Sequence, residues 1–250
     1  EECALDHLCG GRLEIGVGKG ISPPEHRLWG LDPERARSQF EEGFRILREG
    51  LASERIDFVG EHYQFHDTPS PMVPHEGRVP AFWYPGNVAY AGRYRLNTVA
   101  SGPVSSLAQA SKDYRRAVDA ADENWNHTVE HPTFAVKRHI YIGASDADAL
   151  ARIERAYPVY HNNLAALWKQ YNVPFPNRDP SFGGDMHAAI AAQDLLVGSV
   201  ETVAQHLRAV SEQVDTDYFI GAFMWGDLSH REGMDSLQRF IDSVIPRFAT

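Results

Sequence analysis

Apolar positions along the chain switch repeatedly between short continuous runs and spacings of three and four, a pattern that predicts strands alternating with helices. Ala4, Leu5 and Leu8 have helical spacing up to Gly10-Gly11, so the chain opens on a helix stopped by a glycine cap. Residues 12–17 (RLEIGV) predict a short buried strand that ends in a glycine cluster. Asp32 then suits an N-cap with Pro33 in the first helical position. The helix that follows carries Phe40, Phe44, Leu47 and Leu51 on one stripe, with Glu41, Arg45, Arg48 and Glu49 outside it. Residues 56–66 alternate about Gly60 as a small hairpin, and residues 69–80 form a proline-rich loop.

The alternation continues to the end. A strand over 79–84 meets Pro85-Gly86-Asn87 and a short helix to about Arg95. Another over 97–101 meets Gly102-Pro103 and a helix over about 105–122, with Leu107, Tyr114, Val118 and Ala121 inward. A strand over 134–143 feeds a helix capped by Ser145 that runs past Pro158, a kink position, towards Tyr171. Residues 172–195 have the composition of a long excursion. A helix capped by Ser199 turns Val203, Leu207 and Val210 inward. The last strand, 217–225, precedes the capping box Ser229-His230-Arg231-Glu232 and a helix with Leu237, Ile241 and Val244 inside, stopped by Pro246. Five strands each followed by helix imply an α/β fold with parallel pairing. An open doubly wound sheet and a (β/α)8 barrel both satisfy this, yet five units do not close a barrel, and the opening helix lacks the strand it should follow.

Composition narrows the function classes. The chain has 250 residues, 24 Lys+Arg against 34 Asp+Glu, and a net charge of −10. That acidic balance argues against a main role in holding nucleic-acid phosphates or an anionic membrane surface. Cys3 and Cys9 are the only cysteines, so neither a disulfide scaffold nor a Cys-based zinc site is indicated. No apolar run reaches the ~20 residues of a membrane span, and no basic leader is visible, so a cytoplasmic location is expected.

In parallel α/β folds ligands sit at the C-terminal ends of strands. The first such loop, Gly16-Val17-Gly18-Lys19-Gly20, allows close backbone approach and offers a cation to a phosphate. Its G-x-G-x-G spacing is not the dinucleotide fingerprint, which would also launch a helix at once where Pro23-Pro24 stands. A tight turn with a solvated lysine is the alternative. Gly86-Asn87-Val88, at a helix start, suits an anion, or is an ordinary N-cap. Ser101-Gly102-Pro103 is comparable. His62 and His66 lie four apart in a strand-like segment and HExxH is absent, so no metal site is expected; no G-x-S-x-G elbow anchors a hydrolase. Phe219, Phe223, Met224 and Trp225 are core, or a flat apolar wall for a ring-shaped ligand.

Residues 5–20 (LDHLCGGRLEIGVGKG) resemble the "LD-x-L-S-G-G-R-L-x-x-G-V-G-R-G" signature of the luciferase-like, flavin-dependent monooxygenases. Residues 40–51 followed by 58–63 resemble that family's "F-x-E-x-x-x-x-L…F-x-G-x-x-Y" segment, and residues 198–204 and 236–246 agree with its C-terminal part. The resemblance implies a TIM (β/α)8 barrel in which RLEIGV is strand four, the last strand is strand eight and the first three βα units are lacking. It places the chain in a single partial-barrel domain, 1–250, with insertions at about 54–78 and 172–196. It also implies FMN, reduced by a separate flavin reductase, and oxygenation of a small organic substrate with O2 through a flavin peroxide. Gly18, Lys19, Gly20, Gly86, Asn87, Val88 and Ser101 would hold the cofactor, with Lys19 standing where the family carries a phosphate-binding Arg. Phe223, Met224 and Trp225 would line the substrate pocket, no catalytic acid or base is assigned, and a homodimer is conceivable. The alternatives are an F420-dependent oxidoreductase of the same superfamily and a shortened, non-catalytic flavin-binding protein.

Overall fold

The structure, a computed structural model, describes residues 1–174 and 184–248. Part of the excursion expected over 172–195 therefore lies outside the described residues. Among the described residues the strands make two two-stranded sheets and one of four strands, none closed. The chain is α/β, and a closed barrel is not observed. It divides into two compact units: Glu1–Thr98 with Tyr114–Thr133, and Val99–Asp113 with Phe134–Thr250.

The first unit opens with α1 (Glu2–Cys9), ended by Gly10 in the left-handed conformation, φ 64°. Asp6 is buried, and its carboxylate accepts the backbone N–H of His75 (2.8 Å) and of Leu13 (3.3 Å). One side chain thus fixes both the entry to the next strand and a loop more than sixty residues away. β1 (Glu14–Gly16) runs parallel to β4 (Ala81–Trp83) in the register Glu14↔Ala81 to Gly16↔Trp83. Expected as buried, β1 has Glu14 and Gly16 exposed and only Ile15 partly covered, because among the described residues it pairs along one edge alone.

α2 (Pro23–Leu28) stands where Pro23-Pro24 argues against a helix. Both prolines occupy the first turn, where a missing N–H has no intrahelical partner to lose, behind Ser22, whose hydroxyl accepts from Glu25 N–H. α3 (Ala36–Ala52) starts later than the Asp32 cap predicts, since Asp32 closes a turn on Glu34 and Arg35 instead. Its Phe44 meets Phe82 edge-on at 5.0 Å and Trp125 at 5.4 Å, and Arg48 lies over Trp125. The expected hairpin is present as β2 (Arg55–Val59) and β3 (Gln64–Pro69), antiparallel with a bulge between Ile56 and Phe58. α4 (Val88–Arg93) is capped by Asn87, whose Oδ1 accepts from Tyr90 N–H at 2.9 Å.

The second unit is built on a sheet in the order β5-β6-β7, with β8 also on β6, and both β7 and β8 run parallel to β6. β5 is Thr98–Ala100, β6 Phe134–Ile142, β7 Leu195–Gly198 and β8 Tyr218–Ala222. α5 (Val104–Asp119) follows β5, and α6 (Asp146–Gln170), capped by Ser145, runs through Pro158 without a break. α7 (Met186–Ala191) falls inside the stretch expected as excursion, and β7, which begins where that stretch ends, is a strand the sequence pattern does not predict. Its Leu195 and Val197 join Tyr141, Ile153 and Tyr157 on one face, while Leu196 joins Ile140, Ile142 and Val203 on the other. α8 (Val200–Gln213), capped by Ser199, buries Val203, Leu207 and Val210 as expected. The capping box of α9 (His230–Arg239) is complete. Beyond it the chain widens into a π turn over Phe240–Val244, which turns Phe240 and Val244 inward and leaves Ile241 exposed rather than inside.

Candidate functional site

Parallel pairing of β1 with β4 sends their following loops out at the same end of the first unit. The bond from Val17 N–H to Trp83 O (2.8 Å) extends the ladder to the point where they diverge. One loop carries Gly18, Lys19 and Gly20, the other Gly86, Asn87 and Val88. Lys19 is exposed, and its ammonium donates to Gly20 O at 3.2 Å. Gly20 has φ 78° and Gly86 φ 153°, both in the region that favours glycine; Gly18 has an ordinary φ and open space where a Cβ would stand.

Behind the first loop stands His26 of α2, 7% exposed, a residue that nothing in the sequence pattern marks. Its Nε2 lies 2.8 Å from Lys19 O. A carbonyl oxygen only accepts, so Nε2 carries a proton and donates in this contact. Nδ1 is buried without a hydrogen-bond partner. The ring fills the space beside Gly20: a Cβ there would stand 2.8 Å from Nε2.

In the second unit Ser101 is exposed after β5. Its neighbour Gly102 donates its N–H to Asp194 Oδ1 at 2.9 Å, and Asp194 also lies 3.6 Å from the guanidinium of the fully buried Arg138 on β6. This buried ion pair shapes the loop that holds Ser101. Phe223, Met224 and Trp225, expected together, lie beyond the end of β8 and separate: Phe223 packs against one core cluster and Trp225 belongs to the other. Phe223 stacks edge-on against Phe240 at 5.3 Å, Met224 is 60% exposed, and Trp225 is buried with its Nε1 donating to Ile140 O. Trp225 belongs to a ring cluster with Tyr160 (5.9 Å) and His139 (5.8 Å). Burial drives the His139 pKa down to about 4, with Lys137 adding to the shift, so this imidazole is neutral at pH 7. Its period-two position on β6 could have been read from the sequence; its neighbours on α6 could not.

Among the described residues no helix is long and apolar enough to cross a membrane. Residues 3–217 match the family described as luciferase-like monooxygenase. The Sinorhizobium fredii protein y4wF is 27% identical over 233 residues, which cover 91% of this chain and 66% of that relative. The 4-hydroxyprotoasukamycin monooxygenase of Streptomyces nodosus subsp. asukaensis is 25% identical, covering 98% and 67%. The chain thus spans about two thirds of the length of these relatives. Its fold is shared with the monooxygenase RslO1 of Streptomyces bottropensis at a TM-score of 0.80, with 19% identity and coverage of 99% and 72%. It is shared also with the oxygenating constituent of 3,6-diketocamphane monooxygenase from Pseudomonas putida, solved with FMN, at 0.75, with 16% identity and coverage of 98% and 74%. The F420-dependent tetrahydromethanopterin reductase of Methanopyrus kandleri superposes at 0.65, with 13% identity and coverage of 99% and 78%.

Proposed function

The chain belongs to the luciferase-like monooxygenases, and we propose that it forms the FMN-binding part of an oxygenase that acts on a small organic substrate with O2. The observation that carries this reading is Lys19. It is an exposed cation on a glycine-bounded loop that leaves a parallel strand pair at the same end as the Gly86-Asn87-Val88 loop. In this reading β1 takes the fourth strand position of a (β/α)8 barrel and a separate reductase supplies the reduced flavin.

The donor set fits a phosphate. Residues 16–21 contain no carboxylate, Gly20 presents backbone where any side chain would obstruct, and the single bond from Lys19 to a neighbouring carbonyl is readily exchanged for an anion. The Oδ1 of Asn87 is committed to capping α4, so its part is to shape the Gly86–Val88 turn. When bound, reduced flavin supplies the activation of O2; the chain's own residues hold the cofactor and exclude water. In the second unit, Met224 offers exposed apolar surface to an organic substrate, and Ser101 offers an exposed hydroxyl.

FMN and riboflavin differ only in the phosphate, so they test this reading. Lys19→Ala should weaken FMN about tenfold, the loss of one charge-assisted hydrogen bond at about 1.5 kcal/mol, and leave riboflavin unchanged. Equal losses for both would remove Lys19 from the site. Tighter binding of F420 than of FMN would replace the oxygenase reading with hydride transfer.

A further inference from the structure

We propose that His26 is a positioning residue that fixes the orientation of the Lys19–Gly20 peptide and so presents Lys19 and the Gly20 N–H to an anion; this rests on the phosphate reading of that loop. The Nε2–H of His26 donates to Lys19 O at 2.8 Å. In a planar trans peptide the C=O and the following N–H point in opposite directions. Holding Lys19 O inward against the ring therefore turns the Gly20 N–H outward, on the side where the loop meets solvent. The ring also excludes any side chain at residue 20, since a Cβ would meet Nε2 at 2.8 Å, and Gly20 holds the φ of 78° that this peptide setting requires. Three features then agree: a buried imidazole whose Nε2–H donates, a carbonyl that it pins, and a glycine that alone fits beside it.

The Lys19–Gly20 bond is itself a trypsin site, so the loop can be probed on the 250-residue chain without cofactor. His26→Phe, which keeps a ring and removes the donor, should raise cleavage after Lys19 about fivefold relative to cleavage after other Lys and Arg residues, the effect of losing one neutral hydrogen bond. His26→Gln, whose amide nitrogen reaches the Nε2 position, should restore resistance. Unchanged cleavage after Lys19 in His26→Phe overturns the proposal, and so does failure of Gln to rescue. If His26→Phe raises cleavage everywhere, imidazole 15N shifts of the unaltered protein decide instead: a Nε2–H tautomer supports the proposal and a Nδ1–H tautomer overturns it. With FMN and riboflavin, His26→Phe should lose about fivefold for FMN alone, matching the same lost bond. Should Lys19→Ala leave the ratio of the two affinities unchanged, the phosphate reading falls, while cleavage and tautomer still decide whether His26 sets the peptide.

Discussion

A single carboxylate shows how much one residue can organise. Asp6 looks like an ordinary surface acid in a helical turn, yet it is buried and serves two distant backbone N–H groups. Asp6→Ala leaves both donors without an acceptor, each worth about 1–3 kcal/mol, so unfolding stability should fall by about 2–6 kcal/mol. Denaturant titration checks this, and a loss under 1 kcal/mol would mean that water serves the donors equally well. The candidate loops were legible at this scale because strand, glycine run and cation lie side by side in the sequence. His26 and Asp194 were not. Each acts on a segment that local pattern does not connect to it, Asp194 on Gly102 across more than ninety residues, and His26 from a short helix that the sequence pattern does not predict.

At the scale of elements, three polar caps were legible, since Ser145, Ser199 and Ser229 each accept from a backbone N–H of the first turn of the helix that follows, whereas Asp32 closes a turn ahead of α3 instead. β7 escaped because four residues buried on both faces give no alternation to detect. The π turn escaped because one residue per turn more than the α-helical repeat shifts every later position. The tie between α6 and α9 is equally non-local. Arg152 of α6 donates to Asp227 at 2.8 Å and to both carboxylate oxygens of Glu232, the acid of the α9 capping box. Hydrogen bonds from Arg152 and Ser229 draw the Glu232 pKa down to about 2. Arg152→Met should cost about 2 kcal/mol, the scale of a charged hydrogen-bond pair, and raise the Glu232 pKa. Carboxyl NMR titration reads the second effect directly, and an unmoved Glu232 would refute the coupling.

For the molecule as a whole, part-buried histidines and hydrogen-bonded carboxylates set an order of acid loss. His139 has its pKa lowered to about 4, and burial lowers that of His206 as well. Below the ordinary histidine value of about 6.5 the unfolded chain binds protons that these sites refuse, so stability falls with pH from there towards 4. Glu232, Glu42, Asp146 and Glu201 have lowered values, so their contribution is full above the ordinary carboxylate range and is lost as pH falls through it. Two phases are expected, the upper one on the order of 3 kcal/mol from His139. His139→Phe should remove most of the upper phase and leave the lower; an unaltered profile would show that His139 is not its source. The chain passes between its two units at 98/99, 113/114 and 133/134, so neither unit is one uninterrupted segment. On a ribosome this imposes an order. Residues 1–98 emerge ahead of the segment 114–133 grouped with them, and the intervening residues 99–113 emerge before any of the residues from 134 onward with which they are grouped.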